Sequence, residues 1–239
     1  MSVYALSDTH LSLDGSKPMD IFRGWENYVE RLRYNWNTVV SENDTVVIPG
    51  DISWGMTLAQ ARPDLEFIHK ELKGKKIILK GNHDYWWATQ SKMNSFLNEN
   101  GFDSITILNN DAYLAEDICV VGTRGWINDG TDEFDTKVLK REEGRLRMSV
   151  ERGLKLGGEL TAFIHYPPIF AGEKNEYILK VIKEYGVKRC YYGHVHGASG
   201  HAKAFQGEYD GTEFKMISAD YLGFMPVRIG GTDNTAKRI

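Results

Sequence analysis

Short apolar runs that alternate with stretches of helical periodicity restrict the fold of this chain more than any other feature. The runs are SVYALS, TVVIPG, KIILKG, ITIL, ICVVG, LTAFIH and RCYYG. Runs of this length, rich in β-branched residues, suit buried strands, and their alternation with helices points to an α/β class. In residues 20–40, Ile21, Trp25, Val29, Leu32, Trp36 and Val40 recur at three- and four-residue steps, which predicts one helix face. Leu58, Ala61, Leu65, Ile68 and Leu72 repeat the pattern over 57–72, and further helices are predicted near 88–98, 134–155 and 174–185. Gly74, Gly101 and Gly186 stand where helix C-terminal glycines are expected. Two strand-like runs then flank Asp210-Gly211, a hairpin signal, so βα units lead into a β-rich tail. No repeat, low-complexity segment or linker divides the 239 residues, and a single domain over 1–239 is expected.

Charge and cysteine usage exclude several classes. The formal net charge is −4, whereas a chain that coats nucleic acid carries a positive excess to neutralise phosphates. Nucleic acid is therefore not expected as the main partner, and a small phosphorylated ligand is not excluded. Cys119 and Cys190 lie in apolar runs, without the spacing of a disulfide framework or a thiolate zinc site. With no basic leader, long apolar stretch or lipidation motif, a cytoplasmic protein without a membrane anchor is expected.

The position of the histidines carries the chemistry. Five of seven follow directly on a strand-like run: SVYALS precedes Asp8-Thr9-His10, KIILKG precedes Asn82-His83-Asp84, LTAFI precedes His165, and RCYYG precedes His194-Val195-His196. TVVIPG likewise precedes Asp51. Ligand crevices in α/β sheets open at the carboxyl ends of strands, so these groups are expected to converge. Imidazole with carboxylate suits Mn, Fe, Zn or Ni ions. In Asp8-x-His10 and His194-x-His196 the two side chains share a face only on extended backbone, which suits a strand end or the tight loop after it. Asp8, His10, Asp51, Asn82, His165, His194 and His196 make seven potential ligands, where a single zinc takes about four. Two ions bridged by one carboxylate use all seven, and Asp51, the lone acid of its motif, is the natural bridge.

Asp8-x-His10, Gly50-Asp51, Gly81-Asn82-His83-Asp84, His165 and Gly193-His194-x-His196 together resemble the five-block signature of the calcineurin-like metallophosphoesterases. The resemblance covers residues 8 to 196. It implies a two-sheet sandwich flanked by helices, the four-layer α/β/β/α metallophosphoesterase fold. It also implies two divalent or trivalent ions, one held by Asp8, His10, Asp51 and His196, the other by Asp51, Asn82, His165 and His194. His83 matches the family histidine that is not a ligand and would protonate the leaving group after attack by a metal-bridging hydroxide. Asp84 would hold the His83 ring in orientation.

The family does not fix the substrate. Leu11 follows His10, the second block reads Gly50-Asp51-Ile52-Ser53-Trp54-Gly55 and the third ends in Asp84, departures from the Ser/Thr protein phosphatases. A compact hydrolase of a small phosphomonoester or phosphodiester fits best; a nuclease and a non-catalytic partner-binding module on the same fold are the alternatives. Arg124 is read as a phosphate clamp or a surface arginine. Trp54, Trp86, Trp87 and Trp126 follow site segments and form either an aromatic wall for the substrate or core aromatics, and Tyr166 lines the pocket on similar grounds. His69 is expected away from the site; His201 is read as a strand-edge histidine, with an approach to the site as the alternative. The charged stretch 129–147 reads as a solvated helix face or a loop near the site.

Overall fold

The structure is a computed structural model and describes residues 1–127 and 132–231. The start of the charged stretch, residues 129–131, and the tail 232–239 lie outside the described residues.

From the N-terminus the chain forms β1 (Ser2–Ala5), a 3-10 turn (Met19–Ile21), α1 (Tyr28–Val39), β2 (Thr45–Pro49), α2 (Leu58–Lys70), β3 (Lys75–Leu79), α3 (Gln90–Asn100) and β4 (Ile105–Ile107). It continues through β5 (Ala112–Ala115), β6 (Ile118–Thr123), α4 (Glu133–Gly153), β7 (Glu159–Ile164), β8 (Ile169–Phe170), β9 (Glu173–Lys174), α5 (Glu176–Glu184) and β10 (Arg189–Tyr192). It ends with α6 (Gly197–His201), β11 (Gly207–Tyr209), β12 (Thr212–Met216) and β13 (Val227–Gly231).

Two large sheets result. One has the order β13-β1-β2-β3-β4, with β1 to β4 parallel and β13 antiparallel at its edge. The other has the order β11-β12-β10-β7-β6-β5, with a parallel centre and an antiparallel strand at each edge. Strand periodicity sorts the side chains into three cores. Val3, Ala5, Val47, Ile77 and Leu79 of the first sheet meet Val120, Phe163 and Tyr191 of the second, which makes the seam of a sandwich. The other face of the first sheet, with Val46, Ile48 and Ile78, packs on Leu32, Trp36, Leu65, Ile68 and Met93 of α1, α2 and α3. The outer face of the second, with Val121, Ala162 and Cys190, packs on Leu146, Val150, Val181 and Ile182 of α4 and α5. The layers run α/β/β/α, as the resemblance implied.

Local chemistry sets the element ends. Thr57 caps α2 by accepting from the Gln60 N–H, Thr89 does the same for α3, and Gly101 closes α3 in the left-handed region. Asp210 and Gly211 both take positive φ, as a two-residue hairpin turn requires, and join β11 to β12. The helix predicted from residue 20 is corrected: α1 starts at Tyr28, because Gly24 and Asn27 take left-handed backbone conformations. Trp25 and Ile21 therefore leave the helix, Trp25 going into the core and Ile21 to solvent.

Candidate metal centre

All five motif segments lie at the carboxyl ends of parallel strands, where the two sheets meet. Asp8 and His10 follow β1, Asp51 follows β2, Asn82 to Asp84 follow β3, His165 follows β7, and His194 and His196 follow β10. Backbone bonds tie the loops together: Asp8 N–H donates to Gly50 O at 3.0 Å, His10 N–H to Asp51 O at 2.9 Å, and Gly193 N–H to His165 O at 3.2 Å. Asp8, His10 and His194 lie in the tight loops after their strands rather than on extended strand backbone. Asp8, His10, Asp51 and His194 all have φ between 44° and 70°, the left-handed region that non-glycine residues avoid. His196 alone is extended (φ −125°). The chain turns sharply after β1, β2 and β10, and each left-handed residue there costs about 1–3 kcal/mol.

The donors gather in two groups. Asp8, His10 and His196 form one, and Asp51, His165 and His194 form the other, with the candidate atoms of each group within 4.8 Å of one another. His10 Nε2 and His196 Nε2 face each other at 3.1 Å, while Asn82 Oδ1 lies 2.7 Å from His165 Nε2 and 2.8 Å from His194 Nδ1. Asp51 stands between the groups: Oδ2 is 3.6 Å from His10 Nε2 and Oδ1 is 3.5 Å from His165 Nε2. Two imidazole nitrogens that close either share one proton or both present lone pairs to a cation. The donor set of imidazoles, carboxylates and one amide oxygen suits borderline transition ions. These residues therefore fit two cations, one per group, with Asp51 able to serve both.

Two glycines of the motifs are needed for close approach. A Cβ on Gly81 would stand 2.2 Å from both the Asp51 N and Oδ1. One on Gly193 would meet Ser7 Oγ at 2.2 Å and Asp8 Oδ2 at 2.4 Å. Each leaves room for a carboxylate that belongs to another strand.

Burial dominates the electrostatics. It pushes His10 and His194 down to about 3, against the pull of Asp51, so both are neutral lone-pair donors at physiological pH. Burial would also depress His165, but the Asp51 carboxylate and then Asp8 hold it up at about 9. Burial lowers His83 as well, again against Asp51.

Asp84 corrects an expectation. It does not hold the His83 ring, whose Nδ1 is buried with no hydrogen-bond partner. Its Oδ2 accepts the N–H groups of Asp51 (2.9 Å) and Gly81 (2.7 Å); its Oδ1 accepts those of Ile52 (2.8 Å) and Ser53 (3.3 Å) and the Trp86 indole (3.1 Å). Asp84 braces the loops that carry Asp51 and Asn82, because five donors leave it no capacity for an imidazole. Burial and the charge of Asp51 push its carboxyl up to about 6 against these donors.

His83 is half-buried and lines a cavity of about 420 Å³ together with His10, Asp51, His194 and His196. Trp54 lines it too, stacked on His10 with ring centres 5.0 Å apart and 4.4 Å from the His83 ring. A second cavity of about 450 Å³ also reaches His194 and His196 and is walled by Trp126, Tyr166 and Phe170. Tyr166 lies against His194 with ring centres 4.2 Å apart. Trp86 is a core residue and Trp87 packs against the same core, so the aromatic wall reduces to Trp54 and Trp126. Arg124 lines neither cavity beside the histidines; it borders a third one, beside Lys80. His69 is remote and faces Ser104 at 2.8 Å. His201 sits on α6 rather than on a strand edge, 3.1 Å from Asp220.

Two contributors escaped the sequence. Asp220, in the loop after β12, lies 2.9 Å from His196 Nδ1 through Oδ1 and accepts the Gly197 N–H through Oδ2. This leaves His196 Nε2 to face the first donor group. Trp25 sets its ring edge-on to both His10 (5.7 Å) and His196 (5.6 Å). A lone acid after a strand and a tryptophan in helical register gave no signal of either role.

A sequence model of the calcineurin-like phosphoesterase family matches residues 1–198. No curated protein matches. Among solved structures, a protein of unknown function from Aquifex aeolicus is 15% identical, with 95% of each chain covered and a TM-score of 0.50. A purple acid phosphatase from yellow lupin (Lupinus luteus) seeds is 12% identical over 98% of this chain and 46% of its own, with a TM-score of 0.48. No described helix is long and apolar enough to cross a membrane.

Proposed function

Because the chain belongs to the calcineurin-like phosphoesterases, we propose that it hydrolyses a small phosphomonoester or phosphodiester at a dinuclear centre built by Asp8, His10, Asp51, Asn82, His165, His194 and His196. The observation that carries this reading is Asp51, whose two oxygens face two separate groups of donors beneath a cavity that His83 lines. Bound there, two cations of the Mn, Fe, Zn or Ni kind would offset phosphoryl charge and acidify the attacking water. The chain's own residues do the rest. Neutral His10 and His194 keep their lone pairs free, Asp220 fixes the His196 tautomer, and Asp84 keeps the Asp51 and Asn82 loops in place. His83 gives the leaving oxygen its proton: burial lowers its pKa against the pull of Asp51, and the charge of an incoming phosphoryl group favours the protonated ring. Trp54, Trp126 and Tyr166 shape the walls against which the rest of the substrate lies. Both donor groups take residues from both sheets, which supports one domain as the working unit. Two free, buried cysteines accord with a reducing compartment such as the cytoplasm.

The test is reconstitution with Mn, Fe, Zn or Ni, metal analysis, and turnover of p-nitrophenyl phosphate, bis-p-nitrophenyl phosphate and cyclic nucleotides. His83→Ala should keep two ions per chain and lose about 10²–10⁴-fold in kcat. Full turnover by the metal-loaded variant would refute the role of His83, and inactivity of the wild type on every ester would refute the hydrolase reading.

A further inference from the structure

A cavity of about 480 Å³ opens, like the metal groups, at carboxyl ends of strands, bordered by Lys80 after β3, Asn109 after β4 and Thr123 at the end of β6. Its three arginines are organised by one carboxylate. Glu142 of α4 is fully buried. Its Oε1 lies 2.8 Å from Arg145 Nη1, 3.7 Å from Arg141 Nε and 3.9 Å from Arg124 Nη2, and its Oε2 accepts the Thr123 hydroxyl at 2.6 Å. Arg124, Arg141, Arg145 and Lys80 all line the cavity, and none of its described lining residues is acidic.

Neutralising Glu142 takes one guanidinium, and Arg145 is placed to do it. Arg124 and Arg141 stand farther off and keep donors to spare, and Arg124 Nε is buried without a partner. Three guanidiniums around one carboxylate, with Lys80 on the same cavity wall, leave an excess positive charge in a concave site, which is the field that concentrates anions. Planar guanidinium forks match phosphate oxygens in particular. The cavity adjoins the metal centre through two residues. The Arg124 carbonyl accepts the Tyr166 N–H at 2.9 Å, and Tyr166 lies against His194. Lys80 is two positions ahead of Asn82.

We propose that this cavity is an anion subsite for a second phosphoryl group on the substrate, held while the scissile one sits at the metal groups. The assignment of the ligand as substrate rests on the phosphoesterase reading; the binding of an anion does not. A compound with two phosphoryl groups is then preferred over a monophosphate of similar size.

The test compares the wild type with Lys80→Gln/Arg141→Gln, and with Arg141→Gln alone as the milder variant in case the double one folds poorly. Calorimetric titration with inorganic pyrophosphate should show at least tenfold weaker binding by the double variant. KM for a sugar bisphosphate should rise about tenfold, with kcat and the kinetics of p-nitrophenyl phosphate unchanged. Equal pyrophosphate affinity in wild type and variants would overturn the subsite. Weaker pyrophosphate binding without a selective rise in the bisphosphate KM would mark a site for a separate anion and overturn the substrate assignment. A wild type without any esterase activity would defeat the hydrolase reading, while the titration would still decide whether the cavity takes an anion.

Discussion

Replacing Asp84 by Asn separates two roles for one carboxylate. Its two oxygens accept five N–H groups, two on Oδ2 and three on Oδ1. An amide keeps one acceptor and turns the other atom into a donor, so at least the Asp51 and Gly81 N–H groups would face an NH₂. Each buried donor left without an acceptor costs about 1–3 kcal/mol, which gives about 2–6 kcal/mol for the pair. Removing a buried charge recovers part of this, so a loss of about 2–4 kcal/mol is expected, a large share of the roughly 5–15 kcal/mol of a typical domain. Urea unfolding in the presence of a chelator measures it without a contribution from bound metal. Metal affinity should fall in parallel, since the same N–H groups position the Asp51 loop. An unchanged urea midpoint combined with a collapse of kcat alone would refute this reasoning and return Asp84 to the role of orienting His83.

Gly81→Ala should displace Asp51 and abolish metal binding, because the new methyl has no space beside the Asp51 backbone; retained metal content would show that the loop can yield. Asp220→Ala should weaken metal affinity about 10–100-fold through the freed His196 ring, as read by competition with a chelator. Lys76 is fully buried, its ammonium donating to Leu72 O and Gly74 O, and burial holds its pKa at about 8 against an ordinary 10.5. Above pH 8 the unfolded chain therefore binds more protons than the folded one, so the Lys76 contribution to stability rises with pH from about 8 to 10.5. The full gain is at most about 3 kcal/mol. In urea melts across that range the difference between wild type and Lys76→Met should grow by that amount, and a constant difference would count against it.

The layers of the fold were legible because strand periodicity and helix periodicity are local properties. The seven runs became β1, β2, β3, β4, β6, β7 and β10, and α2 to α5 fell within a few residues of their predicted spans. Short edge strands do not stand out: β5 is only four residues long, and β13 has two glycines and an arginine among its five residues. The failure at α1 has a clear cause: Trp25 fits a helical step by accident, while Gly24 and Asn27 break the helix. At the site, the donor residues converge as their strand-end positions suggested. Backbone geometry was less accessible, since no pattern announces that Asp8, His10, Asp51 and His194 take left-handed conformations. Asp84 was misread because an acid next to a histidine in sequence invites a side-chain pair, whereas three-dimensional packing offers it five backbone and indole donors.

Each donor group spans the seam between the two sheets, with Asp8, His10 and Asp51 from one side and His165, His194 and His196 from the other. Cations seated there would act as rivets through the sandwich. Sliding or prying the layers apart would require breaking coordination bonds as well as separating apolar surfaces. Mechanical and thermal endurance should thus be concentrated at the end of the molecule that does the chemistry, and a chelator should soften the two halves' grip on one another long before it melts either sheet.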